Sequence, residues 1–83
     1  MQVTLKLYAS LGQYLPDGAA RNEAKIDVAD DTTILEVLDS YNLPPKSCHL
    51  VLLNGHFQAP AVRSQVQLKP GDALAVWPPV AGG

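Results

Sequence analysis

Residues 30–45 read "DDTTILEVLDSYNLPP", and within them the hydrophobic period of the chain switches from two to that of a helix. Ile34, Leu35, Val37, Leu38 and Tyr41 recur at helical spacing. Thr33 and Glu36 stand at the separation of a capping box, and Asp30-Asp31 place negative charge near the positive helix end. Asn42 and the pair Pro44-Pro45 then stop the helix, since proline lacks an amide donor and clashes with the preceding turn. No other stretch carries both a start and a stop signal, so the chain is organised around one main helix.

The segments on either side read as strands. Upstream, "MQVTLKLYA" alternates, with Val3, Leu5 and Leu7 on one face and Gln2, Thr4, Lys6 and Tyr8 on the other. A short helical turn over Leu11–Leu15 is predicted next, followed by a turn at Pro16-Asp17-Gly18. "AKIDV" then supplies a second strand hairpinned to the first, with Ile26 and Val28 inward, or alternatively Ala24 and Ile26. Downstream, "CHLVLLNGHFQ" is an apolar run ending in Asn54-Gly55, the strongest two-residue hairpin signal, with a return strand over His56–Gln58. "APAVRSQVQL" reads as an irregular connection, Lys69-Pro70-Gly71-Asp72 as a turn, and "ALAVW" as the last strand, with Leu74 and Val76 on one face.

A hairpin, one helical crossover and closing strands put the helix over one face of a single sheet. The crossover supplies the length needed for the first and last strands to pair in parallel at the sheet centre. The expected fold is therefore α+β, a β-grasp (ubiquitin-like) layout with a mixed sheet of about four to five strands and the main helix on one face.

Composition fits one such domain over residues 1–83, with a flexible C-terminal tail over 78–83. Hydrophobic residues make up 47% and charged residues 17%, too apolar for a solvated tail and sparse enough in charge to leave apolar surface for a partner. Net charge is −2, and the Lys and Arg residues stand singly, so no basic stripe exists to neutralise phosphates and nucleic acid is not an expected ligand. No apolar run approaches the roughly 20 residues of a membrane span, no signal peptide opens the sequence, and the expected compartment is the cytoplasm. The single cysteine, Cys48, excludes an internal disulfide.

Alternation also selects a surface. If Val3, Leu5 and Leu7 face the helix, Tyr8 faces away; if Leu74 and Val76 do, so does Trp77. With the two strands parallel neighbours, Tyr8 and Trp77 meet at one end of the sheet outside the core, and Phe57 is a candidate third member. Clustered exposed aromatics read as a docking patch. The competing reading folds Trp77 back over the rim of the core.

Beyond Trp77 the chain runs "PPVAGG". Pro78 and Pro79 enforce a stiff, extended exit. Gly82 and Gly83 then make a thread thin enough for a narrow channel, with the Gly83 α-carboxylate as its only reactive group. A carboxylate is a poor electrophile, but joined to AMP it is open to attack by sulfur or an amine. The plainer reading is an inert stub.

The ending "GDALAVWPPVAGG" closely resembles that of MoaD/ThiS-type sulfur carriers, above all the small subunit of molybdopterin synthase. The resemblance extends through "YASLGQYL", "TTILEVLDSY", "VLLNG" and "KPGD". It implies that Gly83 is adenylated by an E1-like adenylyltransferase using ATP and magnesium, then converted to a thiocarboxylate by a persulfide donor. Pro78, Pro79, Val80, Ala81 and Gly82 would insert into the large subunit of the synthase. There the sulfur would pass to a pterin precursor of the molybdenum or tungsten cofactor, with Tyr8, Phe57 and Trp77 forming the contact face. On this reading the chain is a non-catalytic subunit that binds no cofactor itself. The double proline favours the pterin branch over the thiamine branch. Other sulfur pathways (thiamine, amino acid or tRNA thiolation), a ubiquitin-like modifier joined to lysine amines, and a binding module with an inert tail are the alternatives.

Nothing else in the sequence reads as a site. Cys48 opens an apolar strand without a histidine–carboxylate pattern and is expected to be a structural thiol. Cys48, His49 and His56 match no zinc spacing, so no metal is expected. Asp30-Asp31 read as solvation of the helix end. No glycine-rich phosphate loop is present, so any nucleotide chemistry belongs to a partner.

Overall fold

The computed structural model describes residues 1–79. Strand β1 (Gln2–Leu7) leads into a 3-10 helix over Ala9–Tyr14, and β2 (Glu23–Asp27) returns beside it. Helix α1 (Ile34–Ser40) crosses over, followed by β3 (Leu50–Leu53), β4 (His56–Phe57) and β5 (Ala73–Trp77). The sheet order is β2-β1-β5-β3-β4, with β1 and β5 parallel at the centre and every other pairing antiparallel. This is the β-grasp arrangement.

Helix α1 is defined at both ends by side-chain and backbone chemistry. The Thr33 amide donates to Glu36 Oε1 at 2.9 Å, and the Glu36 amide donates to Thr33 Oγ1 at 3.2 Å, so both halves of the capping box are made. At the other end Asn42 takes a left-handed φ of 62°. Its amide reaches the Asp39 carbonyl at 3.0 Å and the Leu43 amide reaches that of Leu38 at 3.1 Å. These two bonds form a Schellman motif, closed by Leu38 and Leu43, both buried in the core. Asp30 and Asp31 are exposed before the helix, as a solvated approach.

The inward rows of the strands supply the rest of the core. Val3, Leu5 and Leu7 of β1 meet Leu74 and Val76 of β5, Val51 of β3, and Ile34, Val37 and Leu38 of α1. Leu5 is fully buried and faces Leu74 across the parallel pair. Truncating such a leucine to alanine costs about 2–5 kcal/mol, transfer and cavity terms together.

Local packing refines the expected pattern. Leu35 lies on the helix but is 37% exposed, outside the core, because it falls on the flank of α1. In β2, Ala24 stands opposite Leu5 and Ile26 opposite Val3, so these two form the strand's inward pair; Val28 packs on the core just past the strand end. The return strand covers His56–Phe57, and the Gln58 amide, donating to the Val51 carbonyl at 2.8 Å, adds one more bond in the same register before the chain leaves the sheet. The Asn54-Gly55 turn itself forms with φ of 50° and 87°, the two positive values of a type I′ hairpin.

Candidate functional site

The helix covers one face of the sheet and leaves the other open. In the parallel ladder Leu7 stands opposite Val76, so the next residues on each strand, Tyr8 and Trp77, leave together on the open face. Their rings stack with centroids 4.3 Å apart and planes inclined by 1°. Neither belongs to the core cluster, so Trp77 does not fold back over the core rim. The backbone holds both in place: the Tyr8 amide donates to the Val76 carbonyl, and the His49 amide to the Trp77 carbonyl, each at 3.1 Å.

The patch is wider than the aromatic pair. Leu50 lies opposite Trp77, Leu52 opposite Ala75, and Phe57 opposite Leu52, so all point to the open face. Phe57 is 58% exposed and Leu50 is 36% exposed. Phe57 therefore joins Tyr8 and Trp77 through the leucines of β3 rather than by ring contact. The β1–β2 half of the same face is polar, with Thr4, Lys25 and a Lys6–Glu23 pair at 3.8 Å. An apolar field with a charged margin is the anatomy of a protein-binding surface.

Leu50 and Leu52 are the members that sequence reasoning missed. The signal was present: "HLVLL" has no alternation, so a strand in a one-layer sheet must turn part of that run outward.

The tail begins at this patch. Pro78 is half-buried beside it and Pro79 is exposed. Val80, Ala81, Gly82 and Gly83, the remaining tail candidates, lie outside the described residues.

Cys48 is buried in the core, and burial pushes its thiol pKa up against the opposing pull of the Arg63 guanidinium. It is a structural thiol, held mostly protonated. His49 and His56 are exposed, and no group of three metal-ligating side chains occurs among the described residues. Arg63, which no sequence pattern marked, is 6% exposed; it donates through Nε to the Gln58 carbonyl at 3.0 Å and through Nη1 to the Cys48 carbonyl at 2.9 Å. It walls a cavity of about 250 Å³ on the helix side with Leu38, Leu43 and Cys48, and neither Tyr8 nor Trp77 lines it. No helix of the described residues is long and apolar enough to cross a membrane.

The sequence model of the ThiS family matches residues 7–83. The chain belongs to the ThiS family. It is thus a member of the ubiquitin-like sulfur carriers, small subunits that are generally non-catalytic. This ThiS-family chain is similar to SAMP1 from Haloferax volcanii, at 27% identity with all of both chains covered and a TM-score of 0.70. It is also similar to the HVO 2177 protein of Haloferax volcanii, at 28% identity over 100% of this chain and 87% of that one, with a TM-score of 0.73. A further likeness is to the complex of subunits 1 and 2 of molybdopterin-converting factor from Helicobacter pylori, at 20% identity, full coverage of both chains and a TM-score of 0.55; it extends to the fold alone. A comparison with curated protein sequences finds no match.

Proposed function

We propose that this ThiS-family chain is the sulfur-carrying small subunit of a molybdopterin-synthase-type enzyme, with the Gly83 carboxyl as its reacting group. The observation that carries the reading is the Tyr8–Trp77 stack, set outside the core on an open apolar face at the point where the tail begins. A face of this kind docks a larger protein, and a tail leaving its edge enters that protein's interior. The complex of subunits 1 and 2 described for the Helicobacter pylori relative supports a large-subunit partner of this type.

In this scheme an E1-like partner uses ATP and magnesium to join the Gly83 carboxylate to AMP, releasing pyrophosphate. A persulfide sulfur then displaces AMP, and a thiol reductant cleaves the remaining S–S bond to leave the thiocarboxylate. The chain's own contribution is presentation: Tyr8, Phe57 and Trp77, together with Leu50 and Leu52, bind the partner's surface. Gly82 keeps the approach to Gly83 free of side chains, and Pro78 and Pro79 stiffen it.

A second reading is favoured by the full-length likeness to SAMP1, whose name describes a small archaeal modifier protein. There a lysine amine, not sulfur, attacks the same adenylate. Intact-mass measurement of the protein from its native cell separates the two. A gain of about 16 Da, oxygen replaced by sulfur, marks the carrier; isopeptide-linked conjugates mark the modifier. An unshifted mass together with full function after deletion of Gly83 defeats both.

A further inference from the structure

Of the three asparagines in the chain, only Asn54 is followed by glycine. An Asn-Gly pair is open to intramolecular attack, because glycine has no side chain to shield its backbone nitrogen from the neighbouring carboxamide. Both residues are exposed at the tip of the β3–β4 hairpin, where water reaches them.

The fold holds this carboxamide at both ends. Asn54 Nδ2 donates to Asp72 Oδ1 at 2.9 Å, and Asn54 Oδ1 accepts from the Ala73 amide at 2.9 Å. The Asn54 amide donates in return to the Ala73 carbonyl at 2.8 Å. Asp72 is itself anchored, its Oδ2 accepting from the Lys69 amide at 2.8 Å and its carbonyl from the Thr4 amide at 2.9 Å. The hairpin tip is thus latched to the start of β5.

We infer that Asn54 is a deamidation site kept closed by this latch, so that it reacts only when the hairpin tip lets go of β5. The reaction balances with water alone. A base takes the proton of the Gly55 amide, whose nitrogen bonds to Asn54 Cγ. The Cγ–Nδ2 bond breaks, and the departing nitrogen takes up that proton to leave as ammonia. Water then opens the cyclic imide to aspartate or isoaspartate. Ring closure swings Cγ toward the Gly55 nitrogen and breaks the bonds to Asp72 and Ala73, so the folded rate is governed by local opening. The product does not rebuild the latch. Aspartate at this position has no Nδ2 donor and sets a second carboxylate against that of Asp72.

The test is incubation of the full-length chain at mildly alkaline pH, native and in concentrated urea, with the mass gain of about 1 Da located by peptide mapping. Asn54 in the native chain is expected to deamidate at least about tenfold more slowly than in the unfolded one. Asp72→Ala, shown by its thermal melt to be folded, removes one of the two side-chain bonds and should speed the native reaction at least about threefold. Asn54→Asp should lower the urea midpoint, and adding Asp72→Asn should recover most of that loss, since the pair of carboxylates is then gone. Equal rates in the native and unfolded wild type overturn the assignment, and this comparison decides alone if Asp72→Ala does not fold. So does a folded Asp72→Ala chain that reacts no faster than the wild type, which would make Asp72 a spectator or a promoter of the attack.

Discussion

Leu50 stands directly opposite Trp77 in the antiparallel β3–β5 ladder, and both side chains lie on the face of the sheet that carries no helix. The apolar patch therefore continues without a break from the β1 end, through β5, to β3 and the exposed ring of Phe57. A surface built on three central strands is rigid, so little order has to be imposed when a partner binds.

Trp77→Ala should accordingly weaken partner binding far more than it lowers stability. Loss of a central aromatic anchor is expected to cost about 2–4 kcal/mol of affinity, whereas loss of the stack costs the fold about 0.5–1.5 kcal/mol. Titration calorimetry against the partner and urea unfolding of the free chain measure the two. Equal losses in both would place the ring in the core instead.

Arg63→Ala should do the opposite. The side chain is buried and satisfies the carbonyls of Gln58 and Cys48, tying the end of β4 to the start of β3. Leaving buried carbonyls without donors costs about 1–3 kcal/mol each, so unfolding in urea should shift clearly while binding at the sheet face persists once the protein is folded. Unchanged stability would mean that water replaces the guanidinium at no cost.

Cys48 should react slowly with alkylating reagents in the folded protein, at rates near those of free thiols only after denaturation. Burial raises its pKa above the ordinary 9.0, so the folded state resists ionisation more than the unfolded state does. Stability tied to this group is intact below 9.0 and falls as pH climbs through and beyond it, because the unfolded chain loses the proton first. Cys48→Ala should remove that alkaline decline relative to the wild type. Rapid labelling of the native thiol at neutral pH would contradict the buried placement.

Glu36 predicts a change at the acid end. Its hydrogen bonds from the Thr33 backbone and side chain hold its pKa below the ordinary 4.5, so its contribution is present above that value and fades as pH falls through the lowered one. Melts of wild type and Glu36→Gln should converge under acid, the wild type being the more stable near neutrality. A gap between them that does not narrow on acidification would show that the capping carboxylate is not ionised in the fold.

The boundaries of α1 were legible because they are set locally: Thr33 with Glu36, and Asn42 with Leu43, find their partners within one turn of the chain. The Asn54-Gly55 hairpin was legible for the same reason. Strand alternation also placed Tyr8 and Trp77 outward, since a period of two assigns faces without knowledge of the neighbours. Helical spacing alone did not show that Leu35 stays outside the core, because it defines a stripe, while the position of the stripe's edge depends on what packs beside it.

The sequence by itself determined the order of elements and the central parallel pairing, both of which follow from local periodicity and the length of one crossover. Only the tertiary structure decided that Tyr8 and Trp77 stack flat, that Leu50 and Leu52 extend the patch, and that Arg63 is buried between two carbonyls. Those relationships join residues far apart in the chain, and their geometry is set by register and packing, which no single segment encodes.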